Sequence, residues 1–594
     1  LTKLPKISSV SRIHTGQDPY LDAWFLHFML ENNIEHLVNP RVNASAEQLR
    51  FMVDLEEEQV FAPCTDWMFD NLLKTTMTRE LKKEYTQTWK RLVILIHAFS
   101  GEPFLRKKIL SLCKHLFRKA LHSPFMIPSR LLKRMLDIFL SQNAIQDPHS
   151  SRKKEFNRRA LDFMNTPVFF RIISSCPDST MGCERIQDLR WELDLLELKR
   201  FFCISTWSDI WEKKDFNPDS SLVEKEISRQ WQGFDPVMTN LFGPDNARSY
   251  KILYLPNSAG GIIFDLKIIK ALIRLGHKVV LAMKEGFYFD YPTLWDVDSD
   301  SFLAGALREA RLVQDSQISK KNFLRKQREN SLLLISDGSR ERMNLYRTSI
   351  TFARAWKESD LIIAKGNGNF RRLINNSYLF TRDILAFFRD SRGEVHFQFK
   401  EKSPKIRKFI ESEIVHKAEE IKKSMLSARL KGQRVFFYSA IIGSIPGQTK
   451  VAIELINHFV NYLRERMDQT FIVNPAEHFE QGMDGDDLMY MWEMVQRSGL
   501  IDVWWFQSVN DIEKSFEIMG KKVPPIWAGK DATFSTGCTK EMHIALEIQK
   551  KYPEMQIIGP SPEKFFRRRE YGVGKFFDAN IEGGPIAAGD HETY

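Results

Sequence analysis

Between about residues 18 and 240, apolar positions recur at three- and four-residue spacing. Segments 22–37, 45–61, 79–99, 104–121 and 128–140 each read as amphipathic helices. Glycine and proline punctuate these runs rather than interrupt them. Trp24, Phe25, Phe28, Trp67, Phe69 and Trp89 fall at helical spacing, a pattern of core packing rather than of a cofactor box. The stretch 146–157, QDPHSSRKKEFN, is polar and basic and reads as an exposed connection. Residues 185–200 interleave acidic and basic side chains, as a solvated helix face does.

The pattern switches near residue 250. Short β-rich runs at 252–255, 279–283, 332–336, 361–365, 395–399, 435–442, 471–474, 503–506 and 557–558 alternate with helical stretches. The longest of these stretches are 343–357, 403–431, 449–467, 486–498 and 540–551. Such alternation predicts an α/β fold: a doubly wound, mostly parallel sheet with flanking helices, preceded by a mostly helical N-terminal region. The organisation expected is a helical region over 18–245, an α/β core over 246–432, a C-terminal α/β extension of the same sheet over 433–579 and a flexible, glycine-rich tail over 580–594.

Composition narrows the function classes. With 594 residues, 43% of them hydrophobic, the chain can bury several cores, and global disorder is excluded. The net charge of +10 comes from 86 basic and 76 acidic residues, which over this length describes a basic solvated surface. No RNP, zinc-finger or basic-zipper pattern accompanies it, so nucleic acid is not the expected partner. The six cysteines are scattered. Cys176 and Cys183 lack the second Cys or His pair that a zinc site needs, and the usage fits a reducing, cytoplasmic setting. No apolar run reaches the roughly 18 residues of a membrane span, and the first 21 residues lack a signal-peptide core. The chain starts with Leu, so the natural start is expected upstream.

In a parallel sheet, ligands sit beyond the carboxyl ends of the strands. Residues 250–290 read as strand, small-residue loop, helix and strand, one βαβ unit. Its loop, Pro256-Asn257-Ser258-Ala259-Gly260-Gly261, lets backbone amides approach a ligand, and a plain tight turn explains it equally well. In the next loop Asp290 is placed to offer oxygen to a hard metal ion, or to stand as a solvated carboxylate. In 336–340, turn chemistry accounts for Asp337-Gly338, with an anion contact by Ser339 or Arg340 as the lesser reading. The fourth loop is the most suggestive. Lys365 closes a buried strand and is expected to aim its ammonium into the cleft, followed by Gly366-Asn367-Gly368-Asn369 and by Arg371 or Arg372. Lysine beside a glycine turn is a phosphate-binding arrangement. Two further loops, 443–450 and the Glu477-His478 pair, are weaker candidates, since the first lacks Walker spacing and a lone loop histidine is more often structural.

Three of these loops together resemble the damage-control phosphatase family (ARMT-like, domain of unknown function 89). The matching residues are Asn257-Ser258-Ala259-Gly260 with Phe264-Asp265, then Phe289-Asp290 with Thr293, then Asp360 through Lys365-Gly366 with Asn369. The resemblance spans roughly 250–375. It implies hydrolysis of a phosphate ester of a small phosphorylated metabolite, assisted by a divalent metal (Mn, Co, Ni or Mg). By that resemblance Asn257, Ser258 and Asp290 are the metal ligands, Lys365 and Asp290 are catalytic, and Lys365, Asn369 and Arg371 bind phosphate. By the resemblance Asn257 stands where the family has an aspartate, Ser258 where it has an asparagine and Gly261 where it has a further acid; in a shifted alignment Asn257 keeps the asparagine and Pro256 falls at the aspartate, and either way a carboxylate is lost. One anionic ligand holds a divalent ion weakly. The expected function is therefore a divergent metal-dependent phosphatase-like protein. The alternative is a weakened or inactive member that binds a phosphorylated ligand or a protein partner.

Overall fold

A computed structural model of the chain describes residues 9–566, apart from 17, 35–43, 57–58, 75–76, 177–185, 229–232, 244–247, 446–447, 479 and 481. The expected tail 580–594 and Cys183 therefore lie outside the described residues. The chain divides into two compact units, 1–403 and 404–594. Among the described residues no helix is long and apolar enough to cross a membrane.

The first unit is a seven-stranded sheet in the order β3-β4-β2-β1-β5-β6-β7. Its strands are β1 (Lys251–Leu255), β2 (Lys278–Met283), β3 (Arg311–Val313), β4 (Leu332–Ser336), β5 (Leu361–Lys365), β6 (Asp383–Arg389) and β7 (Val395–Lys400). All neighbours pair parallel except the β6–β7 edge. The central strands read as unbroken apolar runs because both faces are covered. Leu253, Leu255, Val280 and Ile362 enter one core, while their neighbours Ile252, Tyr254, Val279 and Ile363 enter the other. The N-terminal helices cover both faces: residues 10–139 supply the first core and residues 156–242 the second. The chain thus crosses from one side of the sheet to the other within about 140–155.

Two strands escape the sequence pattern. β3 has only three residues, two of them exposed. β6, DILAFFR, is a short apolar run that periodicity alone cannot tell from a buried helix. The helix expected from 403 begins at Glu411.

The C-terminal third corrects a larger expectation. It does not extend the first sheet. Strands β8 (Arg434–Ser439), β9 (Thr470–Val473), β10 (Val503–Phe506) and β11 (Gln556–Ile558) hydrogen-bond only among themselves, in the parallel order β11-β10-β8-β9. The α/β core accordingly ends at 403 rather than 432. Strand periodicity shows which faces are buried but not which sheet a strand joins, and this decided the difference.

Candidate functional site

β1 pairs with β2 on one side and with β5 on the other, so the strand order reverses there. The crevice beyond the carboxyl end of a strand at such a switch point is where open α/β sheets bind ligands. Three loops converge on it: 256–261 after β1, 284–293 after β2 and 366–369 after β5.

Glycines let the first and third loops meet. Gly366, at φ +95°, packs against Asn257; a Cβ there would lie 2.6 Å from the Cβ of Asn257. Ser258 donates its hydroxyl to Asn257 Oδ1 at 3.2 Å. Gly261 opens the helix Gly261–Arg274, and a Cβ on it would lie 2.6 Å from Lys365 Nζ and 2.7 Å from Ser258 Oγ.

That ammonium does not face the cleft. Lys365 Nζ donates to Asp265 Oδ1 at 2.7 Å, and Tyr254 donates its hydroxyl to the same oxygen at 2.9 Å. Lys365 and Asp265 are 1% and 0% exposed. Burial pushes the Asp265 carboxyl up and the Lys365 ammonium down, and each restrains the other's shift by its charge. The reason for the inward turn is local. Asp265 sits one turn into a helix whose surrounding residues are buried, and its carboxylate needs a cation there.

Asp290 touches the first loop through its backbone, accepting the Ala259 amide at 2.6 Å. The preceding Phe289 holds a left-handed φ of +53°, and the Arg91 guanidinium lies 4.2 Å from the centre of its ring. The Asp290 carboxylate is held by a helix that the sequence did not suggest. Oδ1 lies 2.8 Å from His149 Nδ1 and 3.3 Å from Arg152 Nε. Burial alone would raise this carboxyl, but the His149 hydrogen bond and the charges of Arg152 and Lys153 outweigh it and hold it below the ordinary aspartate range.

The stretch 146–157 is thus not an exposed connection. It enters the helix Ser150–Met164, whose polar side chains buttress the site. Lys153, 1% exposed, reaches Asp296 Oδ2 at 2.8 Å, and Asp296 in turn closes a capping box with Thr293. Asn157 accepts the Gly260 amide at 2.7 Å and donates to Asp300 at 2.9 Å. His149, Lys153 and Asn157 are spaced i, i+4, i+8, one helical face. That spacing was the readable signal, masked by the polarity of every residue in it.

The remaining predicted residues are placed as follows. Asn369 is buried and donates its amide to the Lys365 carbonyl at 2.9 Å. Arg371 reaches toward Glu84, at 3.7 Å. In 336–340, Asp337 and Ser339 bind Lys284 at 2.6 and 2.9 Å, a buried structural network. In the second unit Glu477 pairs with Arg464, and His478 packs edge-on to Trp492 with its imidazole pKa pushed down by burial.

A divalent ion fits this donor set poorly. Asn257 and Ser258 are neutral, and Asp290 is the one carboxylate among the three, already bonded to His149 and faced by Arg152. Hard cations take six or more oxygens, several of them anionic. Among the described residues no cluster of three or more His, Cys, Asp or Glu side chains is arranged to hold a metal.

No curated protein matches the chain. Among solved structures, it is similar to a DUF89 family protein from Pyrococcus horikoshii at 20% identity and a TM-score of 0.36, over 52% of this chain and 90% of that one. The family model described as the damage-control phosphatase ARMT1-like domain matches residues 64–405, ending within two residues of the boundary between the two units. The chain belongs to the damage-control phosphatase ARMT1-like family, with the C-terminal third lying beyond the family domain.

Proposed function

We propose that this protein binds a small phosphorylated metabolite at the carboxyl ends of β1, β2 and β5 without a tightly held metal ion, with hydrolysis weak or lost. The observation that carries the reading is the state of Asp290. Its carboxylate, the sole anion among the predicted metal ligands, is bonded by His149 and faced by Arg152. A cation from the protein stands against the oxygen that a metal would need. The phosphate side keeps its positive charge, with Arg371 the most accessible of the predicted residues. In this reading Lys365 is a buried counter-charge that secures the strand end, and Asn369 fixes the turn that follows it. The five described cysteines are free thiols, which supports a cytoplasmic setting.

Family membership favours the competing reading, a divergent metal-dependent phosphatase using Asp290 and Lys365. A panel of sugar phosphates, assayed by thermal shift and by phosphate release with and without Mn, Co, Ni and Mg, separates the two. The proposal expects stabilisation in the presence of chelator and no metal-stimulated release. Turnover that requires a metal and disappears in Asp290→Asn would establish the phosphatase instead.

A further inference from the structure

A cavity of about 310 Å³ opens between the helices Asp66–Leu73 and Arg79–Phe99 and the short helix Asn367–Leu373 that follows β5. Its size suits a small molecule. Three guanidinium groups line it, Arg342, Arg371 and Arg372, against one carboxylate, Glu84. The next acid along the chain from Arg342, Glu341, is already paired with Arg130.

The arginines are not neutralised by one another's surroundings. Arg372 donates Nη2 to Ser129 Oγ at 2.7 Å, but its Nη1 is buried without a hydrogen-bond partner. Arg342 bonds the Tyr288 hydroxyl, and Glu84 is the one carboxylate whose charge reaches it. It also lies over the post-β5 turn, where a Cβ on Gly368 would be 3.8 Å from its Nε and 2.8 Å from Tyr291 Oη. Arg371 reaches Glu84 only at 3.7 Å. Burial and the neighbouring charge of Arg342 push the Arg372 pKa down to about 10. Gathering three cations around an open space costs free energy unless an anion fills it. Planar guanidinium forks suit the oxygens of a phosphate. Trp67, 46% exposed beside them, offers a face for the carbon skeleton, and Glu84 an acceptor for a hydroxyl.

We infer that this cavity is a phosphate-recognition site. Arg342, Arg371 and Arg372 grip the phosphate of a small phosphate ester, and Trp67 and Glu84 contact the group it esterifies. The inference deepens the proposed function and rests on it for the class of ligand, but it moves the phosphate away from Lys365 and the first loop.

Isothermal titration of the full chain in chelator with inorganic phosphate, pyrophosphate and a hexose phosphate tests it. Binding is expected in the wild type, weakened about tenfold or more by Arg342→Gln and by Arg371→Gln, the loss of one charge-assisted contact. Lys108→Gln, exposed on the helix Pro103–His122, should leave it unchanged. Arg371 is half-exposed, so its variant folds even if a change at the more enclosed Arg372 does not. Hexose phosphate bound equally by wild type and both arginine variants overturns the cavity site and leaves the proposed function standing. Arginine-dependent binding of phosphate or pyrophosphate without the ester supports the cavity and removes the metabolite. Silence with all three overturns the cavity site.

Discussion

Lys365 Nζ lies 2.7 Å from Asp265 Oδ1, joining the end of β5 to the helix after β1 across 100 residues of chain. Both side chains are buried, so removing one partner strands a charge. Lys365→Met should cost about 3–5 kcal/mol, and the double variant Lys365→Met/Asp265→Leu much less, because an apolar pair of similar volume replaces the ion pair. Urea midpoints of the three proteins measure this. Equal losses in single and double variants would count against the pair.

Gly260 is expected to tolerate no side chain. It has φ +73°, and a Cβ would lie 2.2 Å from the Trp211 ring. Gly260→Ala combines a strained backbone with an overlap and should destabilise by about 2 kcal/mol or more. Gly276→Ala is the comparison: φ is +89°, yet nothing lies within 4 Å, so the cost should fall to about 1 kcal/mol. Thermal melts that rank the two the other way would refute the close packing of Trp211 on the first loop.

Asp290 should make the first unit acid-sensitive. Its native pKa lies below the ordinary value of about 3.9. The stabilisation is complete above about pH 5 and is lost as pH falls through the native value. His149→Ala removes the hydrogen bond that lowers it and should raise the carboxyl pKa, followed by carbon NMR of labelled aspartate. An unmoved Asp290 resonance would disprove the contact.

Glu541, in the helix Thr536–Lys551 of the second unit, should do the opposite. Burial raises its carboxyl to about 7, eased by hydrogen bonds with Ser439, Gln496 and Cys538. The native state holds the proton more tightly than the unfolded chain, so stability is greatest below about pH 4 and declines as pH rises to 7. At about 1.4 kcal/mol per unit, the loss is roughly 3 kcal/mol. Hydrogen exchange in that helix between pH 4.5 and 8 reads the slope, and Glu541→Gln should flatten it.

The loops after β1, β2 and β5 were legible because glycine, asparagine and aspartate at strand ends are few and positioned by turn chemistry. Their convergence on one crevice followed from strand alternation and short right-handed connections. The side of the site made by His149, Arg152, Lys153 and Asn157 was not legible. A polar run reads as surface unless the fold presses it against something, and only then does its i, i+4 spacing acquire meaning.

Residue pattern was enough to read the parallel sheet and the helical layers before it. Those are properties of residue type and period, which local chemistry sets. Tertiary structure alone decided that Lys365 turns inward to Asp265, that Arg371 joins Arg342 and Arg372 around a separate cavity, and that β8–β11 form a sheet of their own. Each of these depends on which distant groups meet in a low-dielectric interior, where a charge takes the nearest partner it can reach and a strand takes the edge left open to it.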